Sequence, residues 1–329
     1  MQPCQQTAEE SPPKALNKPL FSPSLTRQLK LQGDSSFIHG SAHYSQRHNI
    51  IIVHPLDGKI QLYDATTLLP LKGRQLNDVE QSVISLKYHH KTDVFLLGCM
   101  SGSIYLYNPS SDELKMLQKY EKYMLSSAFL SSTFYAFSVL GSKELYIGNL
   151  DNGDTLKFDS RNNEVFALHH LAKSQLLLSG AIDGSVRIYR TTKLPDLKEV
   201  CAIQAHEAGK WVSDIQSINI NGKEYVITTS TDCTMRIWEM SKERIRLVKV
   251  IRMENVLCSW VYLEDYKMIA VLYGQYNYIE FLRFPSGKLE RRFRLKIGEV
   301  WNVFWMKDKN MIGVTDFAER MIDFVKLQD

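Results

Sequence analysis

Ile60–Asp64 reads IQLYD, and the same strand-like phrase returns six more times along the chain. It reads IYLYN at Ile104–Asn108, LYIGN at Leu145–Asn149, VRIYR at Val186–Arg190, MRIWE at Met235–Glu239, IEFLR at Ile279–Arg283 and IDFVK at Ile322–Lys326. The fourth letters fall at positions 63, 107, 148, 189, 238, 282 and 325, so the spacings are 44, 41, 41, 49, 44 and 43 residues. Inside each copy apolar residues alternate, which is the two-residue period of a strand with one buried face. A period in the forties, repeated seven times, means one supersecondary unit copied along the chain.

Each unit reads as four short strands. In the fourth, Val165–His169, Gln175–Ser179 and Ser185–Tyr189 are the first three, and a looser polar strand leads on. Asp183-Gly184 supplies the tight turn between the second and third, because glycine accepts a positive φ without steric cost. Asp57-Gly58 and Ser101-Gly102 do the same in units one and two. A lone four-stranded sheet cannot bury two apolar faces, whereas seven stacked radially cover one another. The expected fold is therefore all-β, a seven-bladed β-propeller of four-stranded antiparallel blades.

The seventh phrase ends near Lys326 with no fourth strand behind it. Ahead of unit one, LTRQLKLQ at Leu25–Gln32 puts Leu25, Leu29 and Leu31 on one face. This N-terminal strand is expected to complete the last blade and close the ring, removing an edge that would invite aggregation. The propeller then spans residues 25–329, and residues 1–24, rich in proline and polar side chains, read as a flexible tail. Ser11-Pro12 and Ser22-Pro23 within that tail have the form of proline-directed phosphorylation sites.

Composition narrows the function classes. Forty Lys and Arg stand against 36 Asp and Glu, a balance too even to indicate nucleic acid by itself. Five scattered cysteines without a CxxC pair indicate free thiols in a reducing, intracellular setting, cytoplasmic or nuclear, and no structural zinc. No apolar run approaches the roughly 20 residues that cross a bilayer, and the first residues lack a signal-peptide core. No GxSxG, GxxxxGK[ST] or HExxH motif is present, so no catalytic residue, cofactor or metal is assigned.

The fifth unit, from His206 through VITTSTDCTMRIWEM, resembles a blade of the WD-repeat β-propeller family, and the other units resemble it more weakly. The resemblance implies a structural hydrogen-bonded tetrad of His206, Thr228, Asp232 and Trp238. The fourth unit keeps Ser179 and Asp183 but has Tyr189 in place of the tryptophan and no matching histidine. What the family implies for function is a non-catalytic protein-interaction scaffold or adaptor, monomeric by itself, that binds one or more proteins in a larger assembly.

Three sets of residues are candidates for further roles. The long 49-residue interval places extra chain within Thr191–Trp211, on the face where such propellers commonly take partners. Lys210 and Trp211 there, with Trp301 at the start of unit seven, are candidate partner-binding residues. Arg244, Arg246 and Lys249, with Arg292, Arg294 and Lys296, lie on two neighbouring outer strands. They form either a solubilising edge or a site for RNA or another acidic partner. The pairs His89-His90 and His169-His170 read as solvated turn residues two blade widths apart, too far for a shared metal, and His39 and His43 share one strand.

Overall fold

The computed structural model describes residues 22–31, 40–55, 59–79, 82–161, 163–274, 276–296, 298–316 and 320–328. The Asp57-Gly58 turn, His39 and the tail carrying Ser11-Pro12 lie outside them. All seven phrases form the third strands of antiparallel sheets: Gln61–Asp64, Ser103–Asn108, Glu144–Asn149, Ser185–Lys193, Thr234–Ser241, Tyr278–Arg283 and Met321–Gln328. Their apolar pairs, from Ile60 and Leu62 to Ile322 and Phe324, are buried throughout, except that Leu106 is only partly so. Second strands such as Val94–Cys99, Leu176–Ala181 and Met268–Tyr273 are buried at every position. They do not alternate because both faces are covered by neighbouring sheets.

Seven apolar clusters hold the ring, each built from two successive blades. Trp260 of blade six, for example, packs against Ile227 and Ile237 of blade five. At Gly184 the φ is +83°, and a Cβ there would stand 2.5 Å from the Glu207 carbonyl. The turn before the third strand therefore needs glycine for its backbone angle and for the close passage of the next loop.

Ser22–Lys30 pairs antiparallel with Met321–Gln328, completing blade seven and closing the ring. The strand begins three residues ahead of Leu25, so Ser22-Pro23 belongs to the sheet rather than to a tail. Leu29 and Leu31 are buried at the seam, the Thr26 hydroxyl donates to the Phe324 carbonyl at 3.1 Å, and the Gln28 amide donates to Asp323 at 2.6 Å.

Blade one departs from the four-strand pattern. Among the described residues it has Gly40–Ser45, Ile50–Pro55 and Gln61–Asp64, with a single bridge between Tyr63 and Pro70 in the fourth position. Proline has no N–H to extend a ladder, and a 3₁₀ turn, Gln75–Asp78, follows instead.

The extra length of the 49-residue interval divides between both ends of the sheet. Part lengthens the outer hairpin of blade four, Ser185–Lys193 with Asp196–Gln204, at the end opposite the loop that leads into blade five. The remainder is in that loop, residues 205–211. We call the end carrying the loops between blades the upper face, and the other end the lower face.

Candidate functional site

Trp211 ends the loop into blade five and remains 47% exposed. Its backbone is fixed, since its N–H donates to Thr231 Oγ1 at 2.9 Å and its carbonyl accepts from the Thr231 N–H at 3.1 Å. Its ring stacks on Phe166 of blade four, with centroids 4.8 Å apart and planes 27° from parallel. Blade three continues the surface. Exposed Tyr123 and Leu140 are joined by a backbone hydrogen bond of 2.9 Å, and the next residue, Gly141, donates its N–H to Glu164 of blade four at 2.5 Å. An aromatic and aliphatic arc thus runs over the upper face of blades three to five, rimmed by exposed Lys122, Glu207 and Lys210. The indole was legible in the sequence; its partner Phe166 was not, because only ring formation sets two inner strands side by side. Trp301 is half-buried on blade seven, outside these blades.

Within blade five, the Trp238 indole N–H donates to Thr228 Oγ1 at 3.0 Å, and Thr228 meets His206 Nε2 at 2.8 Å. His206 Nδ1 lies 3.0 Å from Asp232 Oδ2. The directions close consistently when the Thr228 hydroxyl donates to Nε2 and Nδ1–H donates to the carboxylate. Burial pushes the His206 imidazole below its ordinary value, against the pull of Asp232. Burial alone would raise Asp232, but Thr234, the Glu207 N–H and His206 outweigh it and hold the carboxyl below its usual range. Thr228 and His206 are closed to solvent, so no substrate reaches them. Thr228→Val, which leaves the imidazole and indole unpaired inside the blade, is expected to lower unfolding free energy by about 2–4 kcal/mol. Trp238→Phe, which loses one donor and part of a buried ring, should cost about 1–2 kcal/mol. Urea titration of both variants checks the ranking, and equal losses would contradict it.

The basic strands are partly spoken for. Arg246 pairs with Glu239, and Arg292 with Glu254 at 2.6 Å and with Glu280, while its guanidinium lies 4.3 Å from the Tyr278 ring centre. Hydrogen bonds to Glu280 and Glu254 hold the Arg292 guanidinium above its ordinary value. Arg292 therefore fastens blade six to the loop leaving blade five. Arg244, Lys249, Arg294 and Lys296 are exposed.

The inner strands of all seven blades line a central channel of about 830 Å³. A second cavity of about 670 Å³ opens beside it on the lower face, among blades two, three and four. His89, His90, His169 and His170 all line this cavity, so they are not separated as the turn reading held. Three of them belong to inner strands, Val83–His89 and Val165–Leu171, and only His90 lies in a turn. Burial lowers His43, His54 and His170 to about 4 and His169 to about 3, with the Lys87 charge adding to the effect on His43 and His169. Among the described residues no group of His, Cys, Asp or Glu is placed to hold a metal ion. No helix among them is long and apolar enough to cross a membrane.

Residues 197–239, from the outer strand of blade four to the third strand of blade five, match the family model described as WD domain, G-beta repeat. That match covers about one unit of the seven, so it marks a WD-repeat-like stretch at blades four and five within a seven-bladed β-propeller, with no subfamily identified. The fold of the chain is similar to that of the β-propeller domain of Cps50 (Swd1) from Myceliophteria thermophila. The TM-score is 0.75 at 10% identity, over 93% of this chain and 99% of that one, and at that identity the likeness shows the fold alone. No curated protein matches the sequence.

Proposed function

We propose that this propeller is a non-catalytic scaffold or adaptor that presents the upper face of blades three to five to a protein partner within a larger intracellular assembly. The observation that carries this reading is the arc of Tyr123, Leu140, Phe166 and Trp211. Half-exposed aromatic side chains on a rigid frame, surrounded by a charged rim, are the composition of an interface hot spot. Free thiols at Cys99, Cys201, Cys233 and Cys258 suit a reducing compartment. The second reading, an RNA or acidic partner on the basic outer strands, rests on exposed Arg244, Lys249, Arg294 and Lys296. It loses Arg246 and Arg292 to their own glutamates.

Tagged protein purified from its own cells at low and high salt, as wild type and as Trp211→Ala, tests the two readings. The expected result is a protein partner retained at both salts and bound at least about 30-fold more weakly by the variant, corresponding to a loss of about 2 kcal/mol. A partner indifferent to Trp211 but released by salt, and by reversing Lys249 and Arg294, would overturn the scaffold reading in favour of the basic edge.

A further inference from the structure

We infer that the junction of the central channel with the lower-face cavity is a binding site for a compact polyanion of the oligophosphate class. Lys87, on the inner strand of blade two, lines both spaces, as do His90 and His169. Lys87 is half-buried and forms no ion pair among the described residues. An ammonium group with no carboxylate partner beside two open spaces is available to an anion from solvent. The neighbouring walls offer none. The described lining of the lower cavity holds Lys87, Lys91 and four histidines but no carboxylate. Asp214, the one carboxylate lining the channel, stands on blade five and is engaged by the Gln216 amide at 2.7 Å. Asp93, beside Tyr88, is already taken by the Tyr88 hydroxyl at 2.6 Å, His48 at 2.6 Å and Ser110 at 2.8 Å.

The remaining donors suit oxygen-rich anions. The His90 imidazole, the Ser131 and Ser132 hydroxyls and the Gln175 amide line the lower cavity with Lys87 and Lys91, while His89, His169 and His170 already meet the hydroxyls of Thr92, Ser217 and Thr191. A volume of about 670 Å³ falls within the roughly 300–1,000 Å³ of small-ligand sites. Phe129, Leu130 and Leu194 complete the walls, and the preference for a multiply charged ligand comes from Lys87 and Lys91 rather than from them. This site lies on the face opposite the Trp211 arc, so the two proposals fail independently.

Isothermal titration of the full chain with inorganic tripolyphosphate at low salt and neutral pH tests the assignment. Wild type is expected to bind at one site, and Lys87→Gln to bind at least about tenfold more weakly. Ala172→Glu, which adds a carboxylate at an exposed position on the cavity wall, should abolish binding while leaving the melting temperature unchanged. Lys249→Gln on the outer strand of blade five should bind like wild type. Absence of wild-type binding at millimolar tripolyphosphate would overturn the assignment. So would equal binding by Ala172→Glu, or loss on Lys249→Gln. If Lys87→Gln does not fold, Ala172→Glu decides by itself.

Discussion

Deletion of residues 1–31 is expected to lower the stability of the propeller by at least about 5 kcal/mol and to make the chain self-associate more than the full-length protein does. The strand removed carries Leu29 and Leu31, 7% and 5% exposed, and each fully buried leucine contributes about 1.5–3 kcal/mol. Its loss also uncovers Met321–Gln328 as a free edge and strips Asp323 of its Gln28 donor. Asp323 is fully buried, and that burial already holds its carboxyl above the usual carboxylate range. An unpaired edge of that length is a template for another chain. Thermal unfolding with size-exclusion chromatography checks both halves of the expectation. A truncated protein that melts within a few degrees of the full chain and elutes in the same oligomeric state would show that Ser22–Lys30 decorates the ring rather than closing it. Leu29→Asp is the milder probe, placing a charge at the same seam without uncovering the edge.

The second large effect is acid lability well above the pH at which carboxylates titrate. His54 is 4% exposed and its imidazole is lowered to about 4, chiefly by burial. An unfolded histidine titrates near 6.5. Between those values the unfolded chain binds the proton and the folded chain does not, so stability falls as pH drops from about 6.5 towards 4. For His54 alone the full loss is about 3 kcal/mol. His43, His169 and His170 act in the same direction, each with a smaller share because the channel admits some solvent. Asp93 adds a second step. Although burial opposes it, hydrogen bonds from Tyr88, His48 and Ser110 lower its carboxyl to about 2, so its contribution disappears as pH falls from near 4 through 2. Asp323 opposes the trend, since a raised carboxyl favours the folded state at low pH. Urea midpoints measured from pH 7 to pH 4 should decline steadily below about 6.5, and His54→Gln should flatten part of the slope. A midpoint constant down to pH 4.5 would contradict the buried, neutral histidines.

The blades were legible because the third strands repeat an aliphatic residue at every second position, as Val186 and Ile188 do, even though Tyr189 between neighbouring blades is buried on the opposite face. Second strands could be placed but not oriented, because continuous runs such as LLLSGA lack a polar face to read. Blade one was expected to carry a full fourth strand. Pro70 reduces it to one bridge, a local effect whose structural outcome depended on the 3₁₀ turn that follows. The ring seam was readable from Leu29 and Leu31, although its start was placed three residues late.

Side-chain constellations were harder to read, for a topological reason. His43, Lys87 and His169 come from blades one, two and four and meet only after the ring has formed, so no spacing along the chain announces them. Arg292 looked like a surface cation because its alternation with Phe293 was visible, whereas the reach of Glu254 from the preceding loop was not. Network residues within one blade, such as His206 and Asp232, were accessible because the blade is itself the repeating unit.

Seam closure also sets a schedule for biosynthesis. Thr26 and Phe324 meet across the seam but are 298 residues apart in sequence. At roughly 5–20 residues per second of translation, the first strand waits about 15–60 s before its partner exists. Throughout that interval the nascent blades form an open arc, with Leu29 and Leu31 uncovered at one end and a newly made blade edge at the other. The arc is the species that a chaperone would meet on the ribosome. Slowing translation near residue 320 would lengthen its lifetime without altering any contact of the finished ring.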